Sequence, residues 1–180
     1  MPSNKTLFST SLIMYNRTMI LPVSWSFTLP VLMALSFAVP FFIAGPQMLV
    51  GIIVNACLFA GFIKSEKLYW SIILFPSLAV LSRGLIFGPM TKYLYFFVPI
   101  IWFGNFLLLY VFGKTKHLGN VTSIVIASLA KSALLFMFAN IFVSAHITPK
   151  LFLTTMGLNQ FLTAVIGGLI ALCLLPNNRK

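Results

Sequence analysis

The sequence predicts an all-α, polytopic membrane protein: a six-helix transmembrane bundle with both termini in the cytoplasm. Three observations predict it. Sixty per cent of the 180 residues are hydrophobic and only 7% are charged, whereas a soluble domain carries about 25% charged residues. The apolar residues fall in runs of bilayer-crossing length, about 20 residues at a rise of about 1.5 Å each. The charge is one-sided, with 12 Lys plus Arg against a single acid, Glu66. The basic residues stand singly between apolar runs, so they read as topology signals rather than as a nucleic-acid footprint.

The elements follow in order. Residues 1–19 read as a cytoplasmic or interfacial segment. Lys5 is followed by only a brief apolar run without a small-residue cleavage site, so no signal peptide is expected. The transmembrane domain, 20–175, holds spans at 20–42, 48–63, 68–86, 93–112, 121–143 and 151–175. The first is broken by Pro22, Pro30 and Pro40, which blur its ends. Short connections make neighbouring helices antiparallel, and 176–180 form a cytoplasmic tail. One side of the membrane receives Lys5, Arg17, Lys64, Lys67, Lys114, Lys116, Arg179 and Lys180; the other receives Arg83, Lys92 and Lys150. That asymmetry puts both termini and the loops 64–67 and 113–120 inside. The Asn-x-Thr triplets at Asn4, Asn16 and Asn120 then lie on the cytoplasmic side and read as chance. Two outer loops, 39–47 and 83–92, mix apolar side chains with Gly and Pro. Non-helical backbone at membrane depth is tolerated only against protein or a cavity, so these loops read either as lids over a site or as interfacial turns.

The catalytic inventory is nearly empty, and no enzyme, cofactor or metal is expected. One acid excludes paired-carboxylate chemistry and a carboxylate proton relay. Cys57 and Cys173 lack a C-x-x-C spacing and read as small buried hydrophobes. His117 and His146 fall on opposite sides of the membrane and cannot share a metal. No G-x-x-x-x-G-K-[ST] is present, so the chain has no P-loop with which to hydrolyse ATP.

Polar residues inside the spans carry the functional reading. Lys131 lies ten residues into the fifth span, about 15 Å deep. An ionisable residue there is a functional candidate by default. No carboxylate is available to it; Ser128 and Ser132 offer hydroxyl partners from its own helix. The amine is therefore uncharged, or matched by a ligand anion, or held by carbonyls and Asn side chains. Asn55, Gln160 and Asn105 lie about 10, 14 and 18 Å from the outer ends of their helices, and Arg83 lies near the outer end of the third. Gln160, Thr163 and Gly167 share one helical face; Trp102 and Asn105 share another. An outward-open pocket lined by Lys131, Arg83, Asn55, Trp102, Asn105, Asn159 and Gln160 would suit a small solute with a planar part and an anionic group. Each amide taken alone also serves as interhelical glue. Small-xxx-small spacings at Ala34 and Ala38, Ala164 and Gly168, and Gly167 and Ala171 mark close helix approach.

The chain resembles the substrate-binding S components of energy-coupling factor (ECF) transporters. Within that resemblance it is similar to a group of small prokaryotic membrane proteins sometimes mislabelled iron hydrogenase. The stretches that carry it are Val54-Asn55-Ala56, Pro76 to Leu85, Asn105, Ala127-Ser128-Leu129-Ala130-Lys131, Gln160 to Ala164 and Gly167-Gly168, with Ala34 and Ala38 in the first span. Two cysteines cannot ligate a cluster that takes four thiolates, so the hydrogenase label fails on chemistry. The resemblance implies capture of a vitamin or related micronutrient on the outer side of the cell membrane, with Ala34 and Ala38 against a transmembrane scaffold (T component). Separate ATPase subunits would supply energy. A stand-alone channel or facilitator and a structural subunit of a larger complex are the alternatives.

Overall fold

The computed structural model describes residues 25–43, 46–64, 69–87 and 91–175. The expectations for residues 1–24, for Glu66 and for the tail 176–180 lie outside them. Every described element is helical: α1 Trp25–Phe42, α2 Gln47–Lys64, α3 Tyr69–Phe87, α4 Thr91–Thr115, a 3-10 turn Lys116–Leu118, α5 Asn120–Ser144, α6 Leu151–Met156 and α7 Leu158–Leu174. Four stretches are long and apolar enough to cross a membrane: Gln47–Lys64, Tyr93–Leu118, Asn120–Ser144 and Leu151–Leu174. The apolar stretches Pro30–Phe42 of α1 and Ser71–Gly84 of α3 are shorter.

Helix α5 explains why these elements assemble as they do. Its buried residues, Ser123, Ile124, Ala127, Ser128, Lys131, Ser132, Leu135 and Ala139, recur at three- and four-residue steps and form one stripe. The opposite stripe is apolar yet open, with Val121 57% and Leu129 59% exposed. A soluble helix reverses this order. An exterior of Val, Leu, Phe and Ile around an interior that holds a lysine is the arrangement suited to lipid, and it makes the chain membrane-associated.

Helices α2, α7, α5 and α4 pack in sequence around the interior, α3 joins α2 to α4, and α1 lies outside against α2 and α3. Glycines set the tightest seam. A Cβ on Gly167 would lie 2.7 Å from the Ile52 carbonyl oxygen and 2.8 Å from the Ala56 nitrogen, so α7 rests on the backbone of α2. Gly168 faces Ile124 and Phe59 instead. The small-residue spacing expected in the last span thus works within the chain, as close approach predicts. Cys57 is buried, but Cys173 is exposed. That corrects the expectation for Cys173: two residues past buried Ala171, it is turned about 200° away on the helix, onto the apolar exterior.

The two ends of the bundle are filled differently. At the end holding Lys64 and Thr115, the core is closed by Phe59, Phe112, Ile72, Leu108 and Ile124. Phe59 and Phe112 meet edge to face at 5.0 Å. At the other end α4, α5 and α6 are stapled by Phe97, which stacks on Phe152 at 5.2 Å and meets Phe142 at 5.0 Å. Between α6, α7 and the α1–α3 side of that end, the interior is hollow.

Candidate solute-binding cavity

The hollow has a volume of about 490 Å³, within the range of small-molecule sites. Its lining reaches from Ile43, Gln47 and Leu151 at the loop end to Lys131 and Asn105 inside. From Gln47 to Asn55 on α2 the depth is about 12 Å, and from Leu94 to Asn105 on α4 about 16 Å. The cavity therefore ends near mid-span. Below it lies the aromatic plug of Phe59 and Phe112.

The floor is a directed hydrogen-bond chain. Lys131, 2% exposed, donates to Asn55 Oδ1 at 2.8 Å. Asn55 Nδ2 donates to Gly51 O at 2.8 Å and to Thr163 Oγ1 at 3.2 Å. The Thr163 hydroxyl in turn donates to Gln160 O at 3.3 Å. Both N–H groups of the Asn55 amide are occupied, which leaves its oxygen to accept from the amine. The chain ties α5 to α2 and α2 to α7. It forms because α2 and α7 approach on glycine: Gly51 faces Thr163, with room for a Cβ only at 3.0 Å.

The expected partners on α5 itself do not serve. Ser132 Oγ donates to Leu129 O at 3.1 Å, and Ser128 Oγ is buried without a partner among the described residues. The lysine stem is long enough to reach across to α2, and it does so in preference to folding back on its own helix. One of its three N–H donors is used; the other two have no acceptor among the described residues.

Asn105 is 2% exposed. Its Nδ2 donates weakly to Ile73 O, at 3.4 Å, and its Oδ1 has no partner among the described residues. Ile73 precedes Pro76, which lacks the N–H that would bond back to Ile72 and so loosens the ladder at this level of α3. Ser77, Val80 and Arg83 line the cavity along the next turns of the same helix face. Arg83 has no ion pair or hydrogen bond among the described residues. Asn159 and Gln160, half-buried, line it from the first turn of α7.

The structure thus brings Lys131, Arg83, Asn55, Asn105, Asn159 and Gln160 to one cavity. Trp102 is not among the lining residues; it packs against the apolar core around Phe59 and Phe112, with its indole N–H buried and unpartnered. The lining face of α4 runs through Leu94, Ile101 and Asn105, and Trp102 lies about 60° beyond Asn105 on the helix. Thr155, Ser77 and the apolar wall of Pro76, Val80, Phe152 and Met156 complete the site and have no polar-in-span signal that would pick them out. Pro40, Ile43 and Gln47 belong to one expected lid, and Arg83 and Gly84 to the other; all five line the cavity, but 39–42, 47, 83–87 and 91–92 are helical rather than loop, because the apolar runs carry the helices into those stretches. Residues 44–45 and 88–90 lie outside the described set. On α1, Ala34 is exposed and Ala38 half-buried.

Among the described residues no group of three metal-binding side chains occurs. Comparison with protein-family models, with curated proteins and with solved structures finds no match for this chain.

Proposed function

We propose that the chain is a six-span protein of the cell membrane, both termini cytoplasmic, which captures a small solute from the outer side. It would act as the substrate-binding subunit of an ATP-driven micronutrient importer. One observation carries the reading: a cavity of about 490 Å³ that opens among the loop-end residues and stops at Lys131, above a packed aromatic floor. A channel needs a path to the other face. Here Phe59 and Phe112 occupy it, which favours capture over permeation. The chain carries no P-loop in its sequence, so the energy for release to the inside comes from other subunits, as the resemblance to S components implies. The Ala34 side of α1 is the surface offered to a scaffold.

The test is a pair of measurements on one preparation. The purified chain binds a vitamin or related small molecule in mild detergent. Reconstituted alone in liposomes, it moves none of that solute across the bilayer, and uptake appears only with scaffold and ATPase subunits plus ATP. Uptake by the chain alone, without ATP, would establish the facilitator reading instead.

A further inference from the structure

The last span is interrupted where the cavity meets it. Gly157 N–H donates to Leu153 O at 3.0 Å, and the ladder resumes only with Phe161 N–H donating to Gly157 O at 3.1 Å. Gly157 itself sits at φ −94°, ψ −99°, and no side chain caps the start of α7. As at any helix start, the N–H groups of Leu158, Asn159 and Gln160 have no partner within α7 itself. Space requires glycine here: a Cβ on Gly157 would lie 2.8 Å from the Leu153 carbonyl oxygen and from the Phe136 ring. A 17-residue helix thus starts inside the span, with the positive end of its dipole beside the cavity that its second and third residues, Asn159 and Gln160, line. Half-helix starts of this kind, at membrane depth, serve anionic groups of solutes.

A second observation points the same way independently. Lys131 is 2% exposed, lines the same cavity, and among the described residues gives only one of its three donors to protein, at Asn55 Oδ1. Asn55 has no second acceptor to offer, since one amide oxygen is all it has and both N–H groups are engaged. No acid occurs among the described residues to match the amine. Donors from a side chain and from a helix start thus border one cavity, which opens at the loop end.

We infer that Lys131 and the start of α7 together form the seat for an anionic group, a carboxylate or a phosphate, so that the solute is a small organic anion. Its apolar body lies against Val80, Phe152 and Met156. This rests on the reading of the cavity as a solute site and names the class of solute it takes.

The probes are benzoate with benzamide, hexanoate with hexanamide, and phenyl phosphate with phenol. They are titrated against the purified chain in nanodiscs of zwitterionic phosphatidylcholine, where no anionic headgroup competes. At least one acid binds tenfold or more tightly than its neutral counterpart. Lys131→Met lowers that preference tenfold or more, whereas Lys114→Met, at the opposite end of the bundle, leaves it unchanged. Leu158→Pro removes the N–H at the first position of α7, where proline is well tolerated. Leu158 is 59% exposed, and Gly157 has no Cβ to meet the ring. This variant lowers acid binding three- to tenfold, leaves the neutral compound's affinity unaltered, and melts with the parent. Neutral compounds that bind as tightly as the acids would overturn the anionic seat while leaving solute capture standing. Acid binding unaltered by Leu158→Pro would remove the helix end from the seat. If neither acids nor neutral compounds bind a folded preparation, both readings fall. A parallel titration with phosphatidylglycerol in the nanodisc separates the sources: competition with benzoate or phenyl phosphate assigns the seat to soluble acids, and retention of the lipid against both assigns it to a headgroup and contradicts solute capture.

Discussion

Lys131 Nζ donates to Asn55 Oδ1 at 2.8 Å, joining α5 to α2 at the floor of the cavity. The pair is asymmetric. Asn55 has other partners in Gly51 and Thr163, whereas the amine has Asn55 alone among the described residues. Removing Asn55 leaves a buried amine unpaired, a loss of up to about 3 kcal/mol. Removing the amine leaves an amide oxygen unsatisfied, about 1 kcal/mol, and relieves the burial of a polar group. Denaturation in detergent should therefore rank Asn55→Ala as the more damaging change, with the double variant close to Lys131→Met. Equal losses for the two single variants would mean that the amine does not depend on Asn55.

The seam between α2 and α7 rests on Gly167. A Cβ there would meet the backbone of Ile52 and Ala56, which cannot shift as a side chain can. Gly167→Val is expected to lose more than about 3 kcal/mol, the upper end of overpacking, and to give little folded protein by size-exclusion chromatography. Near-normal melting of this variant would show that the two helices can separate without loss.

Much of this was legible in the sequence, for physical reasons that also mark where legibility stopped. Apolar runs announce themselves because lipid demands them, and α2 to α5 begin and end within about three residues of the expected bounds, although only four stretches among the described residues are long and apolar enough to cross a membrane. Lys131, Asn55, Asn105, Asn159 and Gln160 stood out because a polar group in such a run is expensive. The cavity's apolar wall did not: Val80, Phe152 and Met156 look the same in sequence whether they face lipid, core or ligand. Trp102 was placed by sharing a face with Asn105, but an angle of about 60° is enough to turn a side chain from cavity to core. The break at Gly157 hides because glycine is common in spans; Asn159 and Gln160 directly after it were the available signal. Cys173 shows the converse: in a membrane protein an apolar neighbourhood does not distinguish the interior from the exterior.

Membrane orientation makes a separate prediction. In a chain with Cys57→Ala and Cys173→Ser, Leu118→Cys and Ile147→Cys probe opposite ends of α5, and both sites are exposed. An impermeant maleimide should label Ile147→Cys in intact cells and Leu118→Cys only after the cytoplasmic face is opened. The reverse pattern would invert the topology and place the cavity mouth inside.

The exterior of α1 separates assembly from capture. Ala34 is exposed beside Val31 and Leu35, which are 52% and 43% exposed. Ala34→Leu adds bulk on that face without entering the bundle. Solute affinity and melting temperature should stay at parental values, while co-purification with scaffold and ATPase subunits falls several-fold. Unchanged recovery of those subunits would move the docking surface off this helix.

Native mass spectrometry of the chain released from mild detergent tests the central claim most directly. The account predicts a population heavier than the bare polypeptide by one small organic acid, present in the parent protein and absent from Lys131→Met. A folded parent protein that appears only as the bare chain, and that none of the candidate acids converts to a heavier species, would contradict it.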